Sequence, residues 1–335
     1  MSSKRYRSSK MEGIIAFFFC MLLFGSTGKS LAQNSDELVL EYVHTYSFEK
    51  GYYNTFIEAT GDTVGLICPN INLVYLINTN TREMDTIEFD KGRGPGEISR
   101  GPFGIDFSEN NIYLGDPDAQ RFSVFDIVHE SFRTEVFNSG YPMKTIYNVS
   151  GNLMLVDPNA SRELAYFLYN PISRKVENKF KLPEKNSDNY RYSGIPAVTE
   201  KFLIHANRYY ADLIVWDIEN GKFIRNSVIE SVQRPKAQEA RMGNLSGTIP
   251  PQNPELKILA LTDHVGKENR IFLLMEGKDQ KYTTNYIYDY DFIEDEVVAF
   301  YEIGAPATLL ASSGDNLYVY SEDQDEMYQY KVLAK

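Results

Sequence analysis

A short phrase recurs along the chain and constrains the fold more than any other feature. Each copy has a turn residue, a short apolar strand, a polar loop and a second strand that often ends in an aromatic residue followed by Asp or Asn. Residues 111–116, for example, lead to residues 121–126. Six copies start near positions 62, 111, 152, 201, 269 and 315, at spacings of 49, 41, 49, 68 and 46 residues. A period of about 40–50 residues is typical of a four-stranded β-propeller blade.

Strand-like runs also flank the two strands of each copy. Residues 103–107 and 132–137 lie on either side of the second copy, and residues 257–261 and 296–302 lie on either side of the fifth. The chain of 335 residues, 13% of them aromatic, is long enough for one large all-β domain. Four strands in each of six copies predict an all-β, six-bladed propeller with antiparallel blades.

The two ends of this pattern complement each other. The last copy reaches its third strand at residues 330–333, and an additional strand-like run at residues 38–43 precedes the first copy. If that N-terminal strand completes the last blade, the ring closes and no blade keeps an open edge. Two side-by-side β-sandwiches are the alternative, but sandwiches do not require complementary ends. We therefore expect residues 33–335 to form a single propeller domain.

Residues 1–32 have the three parts of a secretory signal peptide. A basic segment is followed by an apolar run at residues 13–25, and Ser30, Leu31 and Ala32 fit the small-x-small pattern of a cleavage site. The apolar run is short for a membrane span, which needs about 20 residues. We expect cleavage after Ala32, export to the periplasm or the cell surface, and no transmembrane span in the mature protein.

The two cysteines of the chain indicate neither a lipid anchor nor a disulfide. Cys20 lies inside the apolar run and follows three phenylalanines, whereas a lipoprotein cleavage site has small residues at those positions. Cys68 lies in an apolar strand and is the one cysteine left after cleavage, so no internal disulfide can form. We expect Cys68 to be a buried, unreactive thiol.

The net charge excludes one class of partner. The formal charge of the chain is −12, and removal of five basic residues and Glu12 with the signal peptide takes it to −16. A surface this acidic repels phosphate backbones, so we expect no nucleic-acid partner.

The glycine-rich segment at residues 92–97, Gly-Arg-Gly-Pro-Gly-Glu, leads into Phe103-Gly104-Ile105 and the second copy. This segment, together with the six repeats, resembles a family of exported six-bladed propellers of the Bacteroidetes, which are similar to TolB-like and NHL propellers. The resemblance covers most of residues 38–333. It implies a fold and an exported location but little chemistry. Many members are lipoproteins, and this chain departs from them at Cys20.

The loops with unusual residues are expected to share one face. The strands of a propeller blade are numbered one to four from the inside outwards. The connection from strand four of one blade to strand one of the next (4→1) and the loop from strand two to strand three within a blade (2→3) lie at the same end of the strands. Residues 92–97 and the long segment 231–255 read as 4→1 connections, and residues 116–121, 157–162 and 205–208 read as 2→3 loops. Turn formation is enough to explain the Asp or Arg in any one of these loops. Because all the loops lie at the same end of the blades, together they predict a ligand-binding face around the channel. The candidate ligand-binding residues are Arg93, Glu97, Asp116, Arg121, Asp157, Arg162, His205 and Arg208.

Catalytic and metal signals are weak. The four histidines are scattered, and the acidic residues 322–326 lack the glycine and the distal glutamate of a calcium loop. We therefore predict no cofactor, no metal and no assignable catalytic residue. Two functions remain open. One is an exported module that binds a protein, peptide or glycan; the other is a propeller enzyme, a lyase or lactonase-type hydrolase, with a metal in its channel.

Overall fold

The computed structural model describes residues 38–49, 56–108, 111–149, 153–158, 164–183, 194–229, 238–242, 245–249, 251, 254–264, 266–278 and 282–334. The predicted signal peptide, Cys20 and the candidate residue Arg162 lie outside these residues. The described part of the chain contains 26 β-strands and one short 3-10 helix, Pro69–Ile71, and no α-helix.

Six antiparallel sheets of four strands make up the fold. Blade one consists of β2 (Phe56–Thr60), β3 (Thr63–Cys68), β4 (Leu73–Asn78) and β5 (Glu83–Glu88). Blade two consists of β6 (Ile105–Ser108), β7 (Asn111–Asp116), β8 (Arg121–Asp126) and β9 (Ser131–Val136). Blade three consists of β10 (Met143–Asn148), β11 (Met154–Pro158), β12 (Leu164–Asn170) and β13 (Lys175–Lys181).

The remaining blades repeat this order. Blade four consists of β14 (Gly194–Val198), β15 (Phe202–Asn207), β16 (Asp212–Asp217) and β17 (Phe223–Val228). Blade five consists of β20 (Leu256–Asp263), β21 (Arg270–Gly277), β22 (Tyr286–Asp291) and β23 (Glu296–Glu302). Blade six consists of β24 (Leu309–Ser313), β25 (Asn316–Ser321), β26 (Glu326–Ala334) and β1 (Leu38–Ser47).

The burial of each strand follows its place in the blade. The second and third strands are the two halves of the sequence phrase, and nearly all their residues are buried; in β3 only Thr63 is half-buried. The fourth strands are mostly exposed, and in β5 only Ile87 is buried. Because neighbouring blades pack face to face, a middle strand is covered on both sides and its sequence becomes a continuous apolar run. Cys68 belongs to such a strand and is buried, as expected, and burial raises the pKa of its thiol to about 11; its low reactivity stays a prediction.

The blades form a ring around their first strands. The inner strand β24 lies beside β20 on one side and beside β2 on the other, and β6 lies beside β2 and β10. The apolar core is divided among the spaces between neighbouring blades. Between blades four and five, for instance, Val215 of one blade and Leu273 of the other belong to one buried cluster. The six-bladed, all-β architecture predicted from the repeats is confirmed.

The N-terminal strand completes the last blade, as predicted. Strand β1 pairs with β26 as the outermost strand of blade six. The Tyr46 hydroxyl donates to Oε1 of Gln329 at 3.2 Å, and the Phe48 amide donates to the Asp325 carbonyl at 2.9 Å. The Phe48 ring also packs against Tyr75 of blade one, with ring centroids 4.9 Å apart. The first and last parts of the ring are therefore joined by hydrogen bonds and by aromatic packing.

The long 4→1 connection between blades four and five contains structure of its own. Strands β18 (Gln238–Met242) and β19 (Leu245–Ile249) pair as an antiparallel two-stranded sheet. This hairpin lies within the segment 231–255 that the sequence indicates as an unusually long loop. It accounts for the one spacing of 68 residues among the repeats.

Candidate functional site

Two of the predicted site residues join a 4→1 connection to a 2→3 loop. Arg121 begins β8, and its Nε donates to Oδ2 of Asp116, at the end of β7, at 2.9 Å. The two terminal nitrogens of Arg121 reach carbonyl oxygens in the glycine-rich connection, those of Gly92, Arg93, Gly94 and Glu97, at 2.6–3.3 Å. Both side chains are buried. All three guanidinium nitrogens of Arg121 therefore hold the loop together, which favours a bracing role.

The glycine-rich connection itself folds around Glu97. Oε2 of Glu97 accepts the amide hydrogen of Gly94, and a Cβ atom at Gly92 would lie 2.1 Å from the same oxygen. A side chain at residue 92 would therefore require the Glu97 carboxylate to move from this position. Arg93 is exposed and Glu97 is half-buried. The glycines of this segment are explained by a tight turn, and ligand binding by Arg93 and Glu97 stays a prediction.

A cavity of about 620 Å³ lies among the inner strands. It is lined by residues of β2, β10, β14, β20 and β24, together with Phe103 and the loop residues Arg208 and Tyr209. We call it the central cavity. Its charged lining residues are Glu58, Lys144, Glu200, Arg208 and Asp263. Positive and negative groups thus occur side by side in a space of the size that small ligands occupy.

Asp157 lies beside this cavity through its contact with Lys144. Nζ of Lys144 lies 3.0 Å from Oδ2 of Asp157, and the Lys144 side chain is half exposed. Burial raises the pKa of the Asp157 carboxyl, while the ammonium group of Lys144 acts in the opposite direction. Asp157 is therefore a neighbour of the cavity wall whose carboxylate is already engaged by a lysine.

His205 has a different position from the one expected. The sequence places it at the start of a 2→3 loop, but β15 continues to Asn207, and His205 pairs with Pro196 and Ile214 inside the sheet. Its Nδ1 is 2.8 Å from the Tyr166 hydroxyl, and the side chain is buried. Burial lowers the pKa of His205 to about 3, with a smaller effect of Lys144 in the same direction. The imidazole is therefore neutral at physiological pH.

Arg208 lies at the cavity and is fixed there by its main chain. Its carbonyl oxygen accepts the amide hydrogen of Ile258 on β20 at 3.0 Å, which ties the 2→3 loop of blade four to the inner strand of blade five. The next residue, Tyr209, donates its amide hydrogen to Oδ1 of Asn207 at 3.2 Å. The Arg208 side chain is half-buried and lines the cavity. Of the candidates that the structure describes, Arg208 is the one that reaches the central cavity itself.

Sequence reasoning missed several polar residues of the inner strands. Burial raises the pKa of Asp106, and the nearby carboxylate of Glu58 raises it further. Burial is also the main cause of the raised pKa of Tyr147, with contributions from Asp157 and Glu58 and an opposing one from Arg208. These groups therefore lie near one another across several blades. The signal in the sequence was a charged residue between two apolar ones in a first strand, as in Ile57-Glu58-Ala59.

A second polar cluster lies where blades five and six meet. The hydroxyl oxygens of Thr262 and Ser312 are 2.7 Å apart, and both hydroxyls contact Oδ1 of Asp263. Burial raises the pKa of Asp263, and the two hydroxyl donors oppose that rise. All three residues line the central cavity. The wall therefore offers hydroxyl groups and a carboxylate in addition to the charged groups of blades three and four.

Two further observations bear on the class of protein. Among the described residues, no three His, Cys, Asp or Glu side chains are grouped so that they could hold a metal ion. Across that same part of the chain, no helix is long and apolar enough to cross a membrane.

The fold and the cavity together define a class: a six-bladed β-propeller with a polar central cavity. No family model and no curated protein matches the chain. Among solved structures, the chain is similar to the WD40 repeats of RRP9, with a TM-score of 0.50 and 8% identity over 82% of this chain and 79% of that one. BamB from Moraxella catarrhalis aligns with a TM-score of 0.41 and 11% identity, over 82% of this chain and 71% of that one.

Hydrazine synthase of Kuenenia stuttgartiensis aligns with a TM-score of 0.48 and 10% identity, over 83% of this chain and 94% of that one. At such low identity a likeness concerns the fold alone. The resemblance to Bacteroidetes propellers of the TolB-like and NHL-like kinds stays a prediction.

Proposed function

We propose that the chain is an exported, non-enzymatic binding protein that captures a protein segment, a peptide or a glycan at its central cavity. The observation that carries this proposal is the cavity itself. It measures about 620 Å³, within the range of ligand pockets, and its wall presents charges of both signs as well as hydroxyl groups. Donors and acceptors placed around one concave space fix the orientation of a polar ligand.

The proposed ligand site is the wall of the central cavity, whereas the sequence predicts a site on the face formed by the loops. Arg121 and Asp116 are buried and paired with each other, so they support the loops from within. Arg208 is half-buried and Lys144 is exposed, and both line the cavity, so their charged groups can meet a ligand. We therefore place ligand capture at the cavity, with the 4→1 and 2→3 connections as its surroundings.

Export is supported by the sequence of residues 1–32. A basic start, an apolar run and a small-x-small site precede the propeller. N-terminal sequencing of protein collected from outside the cytoplasm is expected to begin near Gln33. An intact Met1 in the exported fraction would contradict cleavage.

A pair of matched substitutions in blade four tests the binding site. Ile195 on the inner strand β14 lines the cavity, whereas Ile224 on the outer strand β17 is exposed. Ile195→Trp narrows the cavity, and Ile224→Trp adds the same ring to the outside of the same blade. Ligands found by screening glycan and peptide arrays with the wild-type protein are expected to bind the Ile224→Trp variant normally and the Ile195→Trp variant poorly. Equal binding by both folded variants would contradict a site in the cavity.

The alternative function is a lyase or lactonase-type enzyme with a metal in the channel. A metal assay on purified protein separates the two functions. Stoichiometric calcium or zinc would favour the enzyme, and the binding proposal expects neither.

A further inference from the structure

The polar cluster where blades five and six meet lies at one end of the central cavity. Thr262 and Asp263 are the last two residues of β20, and Ser312 is the next-to-last residue of β24. All three therefore lie where a first strand runs into the loop to the second strand (1→2). Lys144, near the start of β10, and Arg208, in a 2→3 loop, lie at the opposite end of their blades. The cluster is thus separate from the two cationic side chains of the cavity wall.

The cluster uses one of the two oxygens of the Asp263 carboxylate. The hydroxyls of Thr262 and Ser312 both contact Oδ1. Among the described residues, no side chain donates a hydrogen bond to Oδ2 and none forms an ion pair with Asp263. Asp263 is half-buried and lines the cavity. Its second oxygen can therefore meet a ligand.

The hydroxyl hydrogens are too few for the contacts within the cluster. Oγ1 of Thr262 lies 2.7 Å from Oγ of Ser312 and 3.2 Å from Oδ1 of Asp263, and the Ser312 oxygen also contacts that carboxylate oxygen. Each hydroxyl carries one hydrogen and an ionised carboxylate carries none, so two hydrogens serve three contacts. At least one pair of oxygens therefore meets without a hydrogen between them. A positive charge beside the cluster would offset that repulsion.

The loops at this end of the blades are acidic. Between a first and a second strand, the sequence places five carboxylates and two lysines: Asp62, Glu109, Glu200, Glu268 and Asp315, with Lys201 and Lys267. Lys201 contacts Glu268. Nη1 of Arg270, at the start of β21, lies 3.3 Å from Oδ2 of Asp289. An excess of carboxylates attracts cations to this end of the cavity and repels anions from it.

We propose that Asp263, Thr262 and Ser312 bind a primary ammonium group of the ligand. This inference rests on the proposed function and names one chemical group of the ligand that enters the same cavity. An ammonium group has three hydrogen-bond donors and no acceptor, which suits a site made of oxygen atoms. The site fits it in charge, because Asp263 supplies the anion.

The same geometry argues against two other cations. A guanidinium binds a carboxylate through both oxygens, but Oδ1 of Asp263 already contacts two hydroxyls. Calcium takes roughly six to eight oxygen ligands. Within the part of the chain that the structure describes, no three His, Cys, Asp or Glu side chains are grouped to hold a metal ion. A compact donor group with one positive charge is therefore the better match.

Lysine side chains and amino sugars both carry a primary ammonium group, and two pairs of probes separate these sources. Nα-acetyl-lysine methylamide is compared with its Nε-acetylated form, and methyl β-D-glucosaminide is compared with its N-acetylated form. Within each pair the ammonium is replaced by a neutral amide. Binding of each probe to the full-length protein is measured by calorimetry near neutral pH, and calcium chloride is titrated separately.

The variant that tests the site is Asp263→Asn, and its matched control is Asp315→Asn. Asp315 is exposed in the 1→2 loop of blade six, so both changes remove one negative charge from the same end of the molecule. Only the first changes the cluster. Ser312→Ala, which removes one hydroxyl, is a second variant and is expected to weaken ammonium binding. All variants are first checked for an unchanged melting temperature.

In at least one pair, the wild-type protein and Asp315→Asn are expected to bind the ammonium probe about tenfold more tightly than the amide probe. Asp263→Asn is expected to remove that preference, and the pair that shows it identifies the source. Equal binding within both pairs, or no binding of any probe, would overturn the ammonium site. A preference that Asp263→Asn retains would do the same, as would calcium binding through Asp263 without an ammonium preference.

Failure of this inference can be told apart from failure of the proposed function. An array ligand that lacks an ammonium group, and whose binding Ile195→Trp abolishes, would overturn the ammonium site and leave capture at the cavity standing. An array ligand that binds both tryptophan variants equally would contradict the proposed function itself.

Discussion

One residue pattern explains why the third strand of a blade so often ends in Asp or Asn. In the 3→4 hairpin of blade four, Oδ1 of Asp217 accepts the amide hydrogens of Glu219 and Asn220, at 3.0 and 3.1 Å. The same arrangement occurs in four other blades, at Asn78, Asp126, Asn170 and Asp291. A carboxylate or amide that caps its own turn sets the hairpin geometry. The recurring phrase is therefore a turn signal as well as a strand signal.

Each of these turns also ends with a residue of positive φ, and this gives the first prediction. Blade four has Gly221 at φ +68°, whereas blade three has Arg174 at φ +58°. A side chain at residue 221 would also lie 2.6 Å from the Lys179 carbonyl oxygen. Gly221→Ala is expected to lower the free energy of unfolding by about 1–2 kcal/mol, and Arg174→Gly is expected to raise it by up to about 1 kcal/mol. Urea unfolding measures both changes; a stabilising Gly221→Ala would contradict the turn assignment.

The buried His205 predicts a specific pH dependence. Its pKa is about 3 in the folded protein and about 6.5 in an unfolded chain, so the unfolded state binds the proton first. Folding stability is therefore lost as the pH falls from about 6.5 towards 3. A glutamine at this position keeps a hydrogen-bonding group for Tyr166 but does not titrate. The difference in unfolding free energy, wild type minus His205→Gln, is expected to decrease as the pH falls from 7 to 4. A difference that stays constant would contradict a buried neutral histidine.

At the level of strands and connections, the sequence predicts the middle strands well. The third strand of blade two is expected at residues 121–126 and lies at Arg121–Asp126. Because such strands are buried on both faces, nearly all their residues are apolar, and this continuous apolar run predicts where the strand begins and ends. The inner strands are harder to interpret, because a residue such as Glu58 lines a cavity that exists only once several blades are assembled. No local pattern could have shown that Arg208 and Tyr147 come close together, since different blades supply them.

The connection between blades one and two gives a prediction about buried charge. Removing Arg121 leaves Asp116 buried without its cation and takes one donor away from each of four carbonyl oxygens in the connection. Arg121→Ala is expected to lower the free energy of unfolding by about 3–5 kcal/mol. Arg93→Ala, in an exposed position of the same connection, is expected to change it by less than about 0.5 kcal/mol. Similar values for the two variants would mean that Arg121 does not brace the connection.

The closing strand β1 gives a prediction of its own. Tyr46 and Phe48 are buried in the space shared by blades six and one. A chain without residues 1–48 loses about 3–6 kcal/mol of apolar burial from these two side chains and exposes the edge of β26. It is expected to melt at a lower temperature and to aggregate. A chain without residues 1–37 is the control, and it is expected to melt like the mature protein. Equal melting of the two chains would contradict closure by β1.

Across the molecule as a whole, the ring is what creates the candidate site. The inner strands of neighbouring blades surround a polar cavity, and each blade contributes few of its residues. The outer strands and hairpin turns form the outer surface, and the middle strands form the apolar core. Substitutions in a middle strand should therefore change stability, and substitutions at the inner strands should change binding. The protein is acidic overall but has the cationic side chains of Lys144 and Arg208 at its cavity. It is therefore suited to select a ligand by the charged and hydrogen-bonding groups of the cavity wall.

An experimental structure of the full-length protein with its strongest array ligand would test where that ligand binds. We expect ligand density inside the cavity bounded by β2, β10, β14, β20 and β24, in contact with Arg208. Density confined to the outer strands or to the exposed hairpin turns, with an empty cavity, would contradict the proposed function.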